Sequence, residues 1–504
     1  MSAIDWLDRP ENLAALPARP VTPPEATPAL PVTPPPGFEA PVADQVVTPE
    51  VTMQPLDAPQ PGAVGLLPRS VTGLPASLWE KSLAASLVRR LRGTDLVSIP
   101  AMQSLMYTLL LTEADPPVQS PGGISFLLAR IDKLVDMGAV DPALALADRA
   151  GPTSHPDLFA RWFDLTLLAG DENRACLVMR DRPSLAPSEA ALTFCRASQG
   201  QFDLAALTFG TAAALGMMDP AEETLLSLFL DPALAEETPA LPPPAKMTPL
   251  VFRLSEGIGH PVPSSGLPRA YAMTDLRGVS GWRAEIEAAE RLTQTGALAE
   301  NRLLGIYTDR EPAASGDPWD RVEAIQALDT AIARRDAAAI SDALPKGWRA
   351  LQSARLEVPF ARLWGETLAG YDLTGPAQAI QFDMAMLSPQ YETLAAKLPR
   401  PDAQHQFIAA LAAGEPGAAE APDALSRAIQ RGFAPDTELP PAIRLDLAQG
   451  KLGEAILVAM DLIAKGAEGN IQMIAPGLAT LRAVGLEDTA RRTALQLMLL
   501  ERQL

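Results

Sequence analysis

From residue 76 onward, apolar side chains recur at the spacing of amphipathic helices. Ala- and Leu-rich segments of about 10 to 16 residues place apolar side chains at positions i, i+3, i+4 and i+7, and Gly, Pro or Asp interrupts them. In one stripe, Phe126, Ile131 and Leu134 share a face, and Gly138 follows where the pattern ends. Further predicted helices cover 141–147, 159–168, 175–178, 192–197 and 203–215.

Glycines separate these helices at a nearly regular interval. Gly138, Gly170 and Gly200 lie 32 and 30 residues apart, close to the roughly 34 residues of a tetratricopeptide-type helix pair, whose full consensus is not matched. Late in the chain, Gly450 and Gly485 lie 35 residues apart in similar Leu- and Ala-rich contexts. The chain is therefore predicted to be all-α, with TPR-like helical-hairpin repeats stacked as an α-solenoid in two parts.

The second half of the chain continues the helical pattern, and a final helix is predicted from Thr489. Its other predicted helices cover 282–293, 319–334, 348–355, 359–369 and 377–386. Residues 250–254 are the one short candidate for a strand. The uncharged stretch 96–112 is interrupted by polar residues and a proline, so we predict a buried helix there rather than a membrane span.

Prolines divide the chain into four parts. Residues 1–75 hold 17 of the 50 prolines, which predicts a disordered, acidic, Pro-rich arm. The arm is interpreted as a spacer or as a docking peptide, and Trp6 and Leu7 are its partner-binding candidates. Nine further prolines lie within 232–268. The predicted organisation is the arm over 1–75, a helical-repeat domain over 76–231, a linker over 232–268 and a second helical-repeat domain over 269–504.

The charge balance narrows the class of partner. The chain has 41 Lys and Arg against 61 Asp and Glu, for a formal net charge of -20. A field of this sign repels nucleic-acid backbones and anionic lipid surfaces. We therefore expect a protein partner and no nucleic acid.

Three arginines form the most basic local patch of this acidic chain. Arg269, Arg277 and Arg283 lie close together in sequence, around Tyr271 and Trp282. They are candidates for contact with an acidic partner, and the alternative is that they pair with carboxylates of their own chain.

Motifs for catalysis or for metal and cofactor binding are missing. The three histidines, His155, His260 and His405, are far from one another and from any cysteine, so no zinc-ligand spacing can be assembled. The glycines at 257–259 lack the third glycine and the following helix of a dinucleotide fingerprint. The sequence accordingly predicts no catalytic, cofactor-binding or metal-binding residue.

The two cysteines are candidates for a disulfide. Cys176 and Cys195 are predicted on neighbouring antiparallel helices, at nearly equal distances from a turn near residue 185. The alternative is two buried free thiols, which behave as small apolar side chains. A disulfide implies an oxidising compartment.

Several segments resemble a family of secreted alphaproteobacterial helical-repeat proteins of unknown activity, some of which are labelled as related to antifreeze glycopeptides. The resemblance rests on residues 2–7 (SAIDWL), 62–74 (GAVGLLPRSVTGL), 109–117 (LLLTEADPP), 266–270 (GLPRA) and the contexts of the two cysteines. It implies a periplasmic protein whose signal is removed just before residue 2, although residues 1–10 themselves show no signal pattern. The alternative location is the cytoplasm.

A more distant architectural resemblance is to repeat proteins that accompany a flagellar motor and are needed for its rotation. The leading hypothesis is therefore a non-enzymatic scaffold that binds a protein partner in the cell envelope, with motility as one context. One alternative is a helical enzyme similar to lytic transglycosylases, which act on peptidoglycan, but the Glu-Ser pair of those enzymes is absent here. Another alternative is an assembly chaperone for an envelope complex.

Overall fold

The computed structural model describes residues 61–94, 99–118, 124–239, 241–242 and 244–500. These ranges contain 26 α-helices and no strand, apart from two isolated bridges, Leu67 with Thr112 and Leu83 with Val118. The all-α prediction is confirmed. None of the described helices combines the length and the apolar composition that a membrane span needs.

The helices are short and follow one another closely. The first twelve are α1 Arg69–Thr72, α2 Ala84–Gly93, α3 Pro100–Leu111, α4 Ile124–Asp136, α5 Val140–Ala150, α6 Pro156–Ala169, α7 Glu172–Asp181, α8 Glu189–Ser198, α9 Phe202–Ala214, α10 Pro220–Leu230, α11 Pro232–Glu237 and α12 Pro249–Gly257.

The remaining helices are α13 Ala272–Asp275, α14 Trp282–Thr293, α15 Glu300–Thr308, α16 Trp319–Ala333, α17 Ala337–Ser353, α18 Glu357–Leu368, α19 Pro376–Leu387, α20 Tyr391–Ala395, α21 Ala403–Ala412, α22 Ala424–Phe433, α23 Pro441–Ala448, α24 Leu452–Ala467, α25 Ile474–Ala483 and α26 Glu487–Leu499.

Glycines in the left-handed conformation end the helices where the sequence predicted turns. Gly138, Gly170 and Gly200 have φ of 82°, 79° and 76°. After α6, the backbone N–H of Asp171 donates to the carbonyl of Thr166 at 2.8 Å, which closes the last helical turn. Gly450 and Gly485 also have positive φ, so all five predicted turn glycines are confirmed. Glycine suits these positions because a Cβ disfavours positive φ.

Helix α3 lies in the interior, as predicted for the uncharged stretch. Ten of its twelve residues are buried. The backbone N–H of Ala101 at its start donates to Oε1 of Gln496 on α26 at 2.7 Å. A Cβ on Gly453 of α24 would lie 2.3 Å from Cζ3 of Trp79, so these two segments are also in close contact. Helices from the two ends of the described chain therefore share one apolar core.

A second apolar core lies between 272 and 387, with Leu500 added to it. At its centre, Arg321 of α16 makes two hydrogen bonds to the carboxylate of Glu290, at 2.7 and 2.9 Å. The hydroxyl of Tyr307 donates to the same carboxylate at 2.6 Å. These buried polar groups satisfy one another, which is the condition under which a polar network is stable in a core.

Part of the predicted arm belongs to the packed region. Val64, Leu67 and Leu74 are buried, so the arm does not extend to residue 75. Arg130 of α4, itself buried, donates to the carbonyls of Val64, Leu110 and Thr112 at 2.7 to 3.2 Å. Burial lowers the pKa of Arg130 to about 10. The apolar run 64–67 docks because its side chains fill the core and this arginine binds its backbone.

The one strand candidate, residues 250–254, is helical. These residues lie in α12, where Leu250, Phe252 and Leu254 are buried. The Thr248 hydroxyl accepts a hydrogen bond from the backbone N–H of Val251 at 3.2 Å, and a proline occupies the first helical position. This N-cap and the following proline start a helix despite the short alternating pattern. The predicted linker over 232–268 therefore contains a buried helix.

Candidate functional site

The predicted disulfide is present. Cys176 on α7 and Cys195 on α8 are bonded, and their Cα atoms are 4.9 Å apart. Both cysteines are buried, and a short 3-10 turn, Pro183–Leu185, lies in the connection between the two helices. The bond therefore joins two consecutive helices through their buried faces.

Helix α9 exposes an apolar surface to solvent. We define the α9 face as Leu204, Leu207, Gly210, Ala214 and Leu215, all of which are exposed. Leu207 and Leu215 each retain 67% of their accessible area. On a helix, positions three, four and seven residues apart lie on the same side, so these residues form one stripe.

The opposite side of α9 packs on the body of the protein. Ala205, Thr208 and Ala212 are its buried residues. These small residues bring α9 close to its neighbours, whereas the larger leucines point away from them. Most helices of a soluble protein expose charged or polar residues on the outer side. The outer side of α9 carries no charge, since no charged residue occurs between Asp203 and Asp219, and the exposed Thr211 is a polar residue on it.

The apolar exposure is concentrated at α9. Of the twelve large apolar side chains that are exposed in the described ranges, five lie within 202–217. Single exposed apolar residues are ordinary on a monomeric protein, but a contiguous group marks an interaction surface. The α9 face is therefore the strongest candidate for partner contact in the described part of the chain.

A groove with proline-rich rims lies between α10 and α12. We call it the proline groove, and its volume is about 580 Å³. Its walls are mainly apolar, and His260 is its one aromatic side chain. The lining residues are Ala221, Thr224, Leu225, Leu241, Pro242, Pro244, Ser255, Ile258, His260, Pro261, Val262 and Pro263. Nδ1 of His260 is buried and has no hydrogen-bond partner within the described ranges.

Among the carboxyl groups of the described residues, that of Asp164 on α6 has the most strongly shifted pKa. Burial is the largest cause that raises the pKa of Asp164, which is about 7. The charge of Glu222 also raises this pKa, whereas the charges of Arg161 and Lys246 lower it. Burial also raises the pKa of Glu222, and the charge of Asp219 adds to that shift. The carboxyl of Asp164 costs stability in its charged form, because burial removes it from water.

The predicted arginine patch is distributed over separate helix ends. Arg269 lies against Gly138, where a Cβ would be 2.8 Å from its Cγ. Arg277 lies against Gly170 in the same way, with its Cδ 2.9 Å from that Cβ position. Both arginines thus cross the C-terminal ends of helices, where the helix dipole favours a cation.

These arginines also contact their own chain through polar atoms. Arg277 forms an ion pair with Glu256 at 2.8 Å, and the exposed Arg283 pairs with Glu287 at 2.8 Å. Nη1 of Arg269 lies 3.5 Å from the carbonyl of Asp136. The geometry matches the alternative in which the patch serves the chain's own carboxylates and carbonyls. Trp6 and Leu7 lie outside the described residues.

The histidines stay apart in the fold. His155 caps α6 by accepting from the backbone N–H of Asp157, and His405 lies 2.7 Å from the carboxylate of Asp402. Within the described ranges, no three His, Cys, Asp or Glu side chains are grouped as metal ligands would be.

Sequence reasoning missed both surface features. The α9 face had a readable signal, because the 15 residues 204–218 are all uncharged and leave most of α9 without a charged outer side. The sequence signal for the proline groove is weaker, because a dense run of prolines predicts a linker. Comparison of the chain with family models, with curated proteins and with solved structures finds no match.

Proposed function

We propose that this protein is a non-enzymatic scaffold of TPR-like helical hairpins, an α-solenoid in two parts, that binds a protein partner through the α9 face. The observation that carries this proposal is the exposure of Leu204, Leu207 and Leu215 on an uncharged helix surface. The regular turn glycines support the repeat interpretation, because each one ends a helix and starts the return of the chain.

The α9 face indicates the chemistry of the partner. Gly210 and Ala214 lie between the leucines and allow a second helix to approach closely. Acidic residues flank the stripe, with Asp203 before it and Asp219 after it. A complementary partner is an amphipathic helix with an apolar centre and basic residues towards its ends.

The dimensions of α9 favour this partner over a second copy of the chain. A helix of 13 residues is about 20 Å long, and one such face buries only a few hundred Å². A stable dimer requires about 800 Å² from each subunit. A single helix that docks on α9 needs less buried area than a stable dimer, and it forms a reversible complex.

The disulfide supports an extracytoplasmic location for this scaffold. Disulfides persist in oxidising compartments such as the periplasm and are rare in the cytosol. We therefore place the partner in the cell envelope. A flagellar motor is the specific envelope complex to which we assign the scaffold, on the basis of its architectural resemblance to motor-associated repeat proteins.

The decisive experiment compares two leucine substitutions. Burying most of Leu207 contributes about 1 to 2 kcal/mol, and a buried aspartate adds a desolvation penalty, so Leu207→Asp should weaken partner binding at least thirtyfold. Leu445→Asp is the matched control, because Leu445 is 58% exposed on α23, away from the α9 face. A photo-crosslinking residue at position 214 should capture one envelope protein, and Leu207→Asp should abolish that capture.

Equal capture in the Leu207→Asp and Leu445→Asp proteins would refute the α9 interface. The cellular context is tested separately, in a strain that carries Leu207→Asp at the chromosomal locus. Loss of swimming with normal protein abundance supports the motor assignment, and normal swimming removes it. Fractionation of the motor complex distinguishes a resident scaffold from an assembly chaperone, which leaves the finished complex.

A further inference from the structure

We propose that a charged cleft between α22 and α25 binds a free basic amino acid, a ligand with one carboxylate and two cationic groups. The residues that line the charged cleft include Arg431, Asp436, Thr437, Glu438, Gln472 and Ala475. The proposal rests on the size of this cleft, on the packing that fixes its walls and on the charges that face it. It does not depend on the α9 face.

The charged cleft has the size of a small-molecule site and is open to solvent. Its volume is about 510 Å³, within the roughly 300–1,000 Å³ that ligand pockets occupy. Arg431, Asp436, Glu438 and Gln472 are all exposed, so a dissolved ligand reaches them without any opening of the fold. The cleft therefore has room for one amino acid and several bridging waters.

The walls of the cleft are held in fixed positions by close packing. Gly432, next to Arg431, lies so near α25 that a Cβ there would be 3.1 Å from the carbonyl oxygen of Ala475. The hydroxyl of Thr437 donates to the backbone carbonyl of Arg431, which ties the loop after α22 to the end of that helix. Because both walls are already ordered, little binding free energy is lost in ordering the protein.

One guanidinium and two carboxylates face the cleft. Asp436 and Glu438 flank Thr437, whose hydroxyl contacts the backbone of Arg431, so the opposite charges belong to one short turn. Among the described residues, no ion pair or hydrogen bond occupies these three charged side chains. The cleft thus offers a site for one anionic group and sites for two cationic groups.

These charges specify the class of ligand. The guanidinium of Arg431 binds a carboxylate through two parallel hydrogen bonds, and the amide of Gln472 supplies a further donor. Asp436 and Glu438 accept hydrogen bonds from cationic groups. Free lysine and free arginine have one carboxylate, an α-ammonium group and a side-chain cation, so they neutralise the cleft. A neutral amino acid leaves one lining carboxylate without a partner.

A series of small ligands tests this assignment on the full chain by saturation-transfer NMR in low-salt buffer. L-lysine and L-arginine should bind saturably with a Kd of about 1 mM. L-norleucine has the carbon chain of lysine without the side-chain ammonium, and it should bind about tenfold more weakly. Lysinamide lacks the carboxylate and Nα-acetyl-lysine lacks the α-ammonium group, and each should also lose about tenfold.

Two arginine variants locate the site. Arg431→Gln should weaken lysine binding about tenfold, because the carboxylate loses its charged partner. Arg427→Gln is the matched control, since Arg427 is exposed one turn earlier on α22 and does not line the cleft, and it should bind lysine as the unaltered protein does. Both replaced side chains are exposed, so both variants should melt at the temperature of the unaltered protein.

A double variant tests the carboxylates separately. Asp436→Asn/Glu438→Gln should remove the preference for lysine over norleucine, because neither replacement carries a negative charge. Absence of saturable lysine and arginine binding, or equal affinity of the unaltered protein for lysine and norleucine, overturns the proposal. An equal effect of Arg431→Gln and Arg427→Gln overturns the location. Equal binding of lysine and Nα-acetyl-lysine overturns the free amino acid as ligand and assigns the cleft to the C-terminal residue of a peptide.

Discussion

Loss of the disulfide should cost this protein about 3 kcal/mol of unfolding free energy. Cys176 and Cys195 are 19 positions apart, so the bond closes a loop of about 20 residues in the unfolded chain. The chain-entropy relation assigns about 11 cal/mol/K to a loop of this length, which is about 3 kcal/mol at 25 °C. Most of the stabilisation thus arises from a smaller conformational freedom of the unfolded state.

The assay is urea denaturation followed by circular dichroism at 222 nm, with and without reductant. Reduction of the unaltered protein removes no side-chain atom and adds only two hydrogens. It therefore isolates the effect of the cross-link. Oxidised protein should unfold at higher urea than reduced protein, with a difference of about 3 kcal/mol in extrapolated free energy. The Cys176→Ala/Cys195→Ala variant should match the reduced protein within about 1 kcal/mol.

Burial of the cysteines adds a kinetic expectation. Their residues are 1% and 2% exposed, so reductant reaches the bond only when the helices open. Reduction should therefore be slow in buffer and fast in urea. Equal denaturation midpoints for the oxidised and reduced proteins would refute the reasoning, because a loop of this length then would not constrain the unfolded chain.

Four further substitutions test the packing and the electrostatics. Arg130→Met leaves three buried carbonyls without their donor and should lower the unfolding free energy by about 3 kcal/mol in urea denaturation, with 61–75 becoming susceptible to proteolysis; unchanged stability would contradict the role of Arg130. Burial raises the pKa of Asp164 to about 7, from 3.8, so the folded state should lose up to about 4 kcal/mol between about pH 4 and pH 7 as this carboxyl ionises. Asp164→Asn removes that loss, and parallel pH profiles of unfolding free energy for the two proteins would disprove it. Gly453→Ala drives a Cβ to 2.3 Å from the Trp79 ring and should cost about 1 to 3 kcal/mol in melting experiments, whereas Gly305→Ala, with open space around it, should stabilise α15 by up to about 1 kcal/mol.

The helices and their turns were readable from the amino-acid sequence. The helix predicted over 282–293 matches α14 at both ends, and the turn glycines at 138, 170 and 200 all have positive φ. The disulfide was predictable for the same reason, since two helices joined by a short turn bring equidistant residues together. These features depend on interactions between residues that are close in sequence.

The errors occurred where distant segments decide the outcome. Residues 64–67 fall between prolines and within the predicted arm, but they pack against Arg130 and the end of α3. The alternating pattern at 250–254 is compatible with a short strand, but the N-cap at Thr248 favours a helix. No local pattern indicates that Arg269 and Arg277 cross the ends of other helices.

Periodicity, caps and glycines, all local in the chain, decided that the described part of this protein consists of short helices separated by turns. Only the packed structure decided which apolar faces are covered, because that depends on which helices become neighbours. Helix α3 is buried since α26 and other distant helices surround it, whereas the equally apolar α9 retains an exposed stripe because nothing in the described chain packs against it. Burial is a property of the whole assembly of helices, and helix formation is a property of each segment.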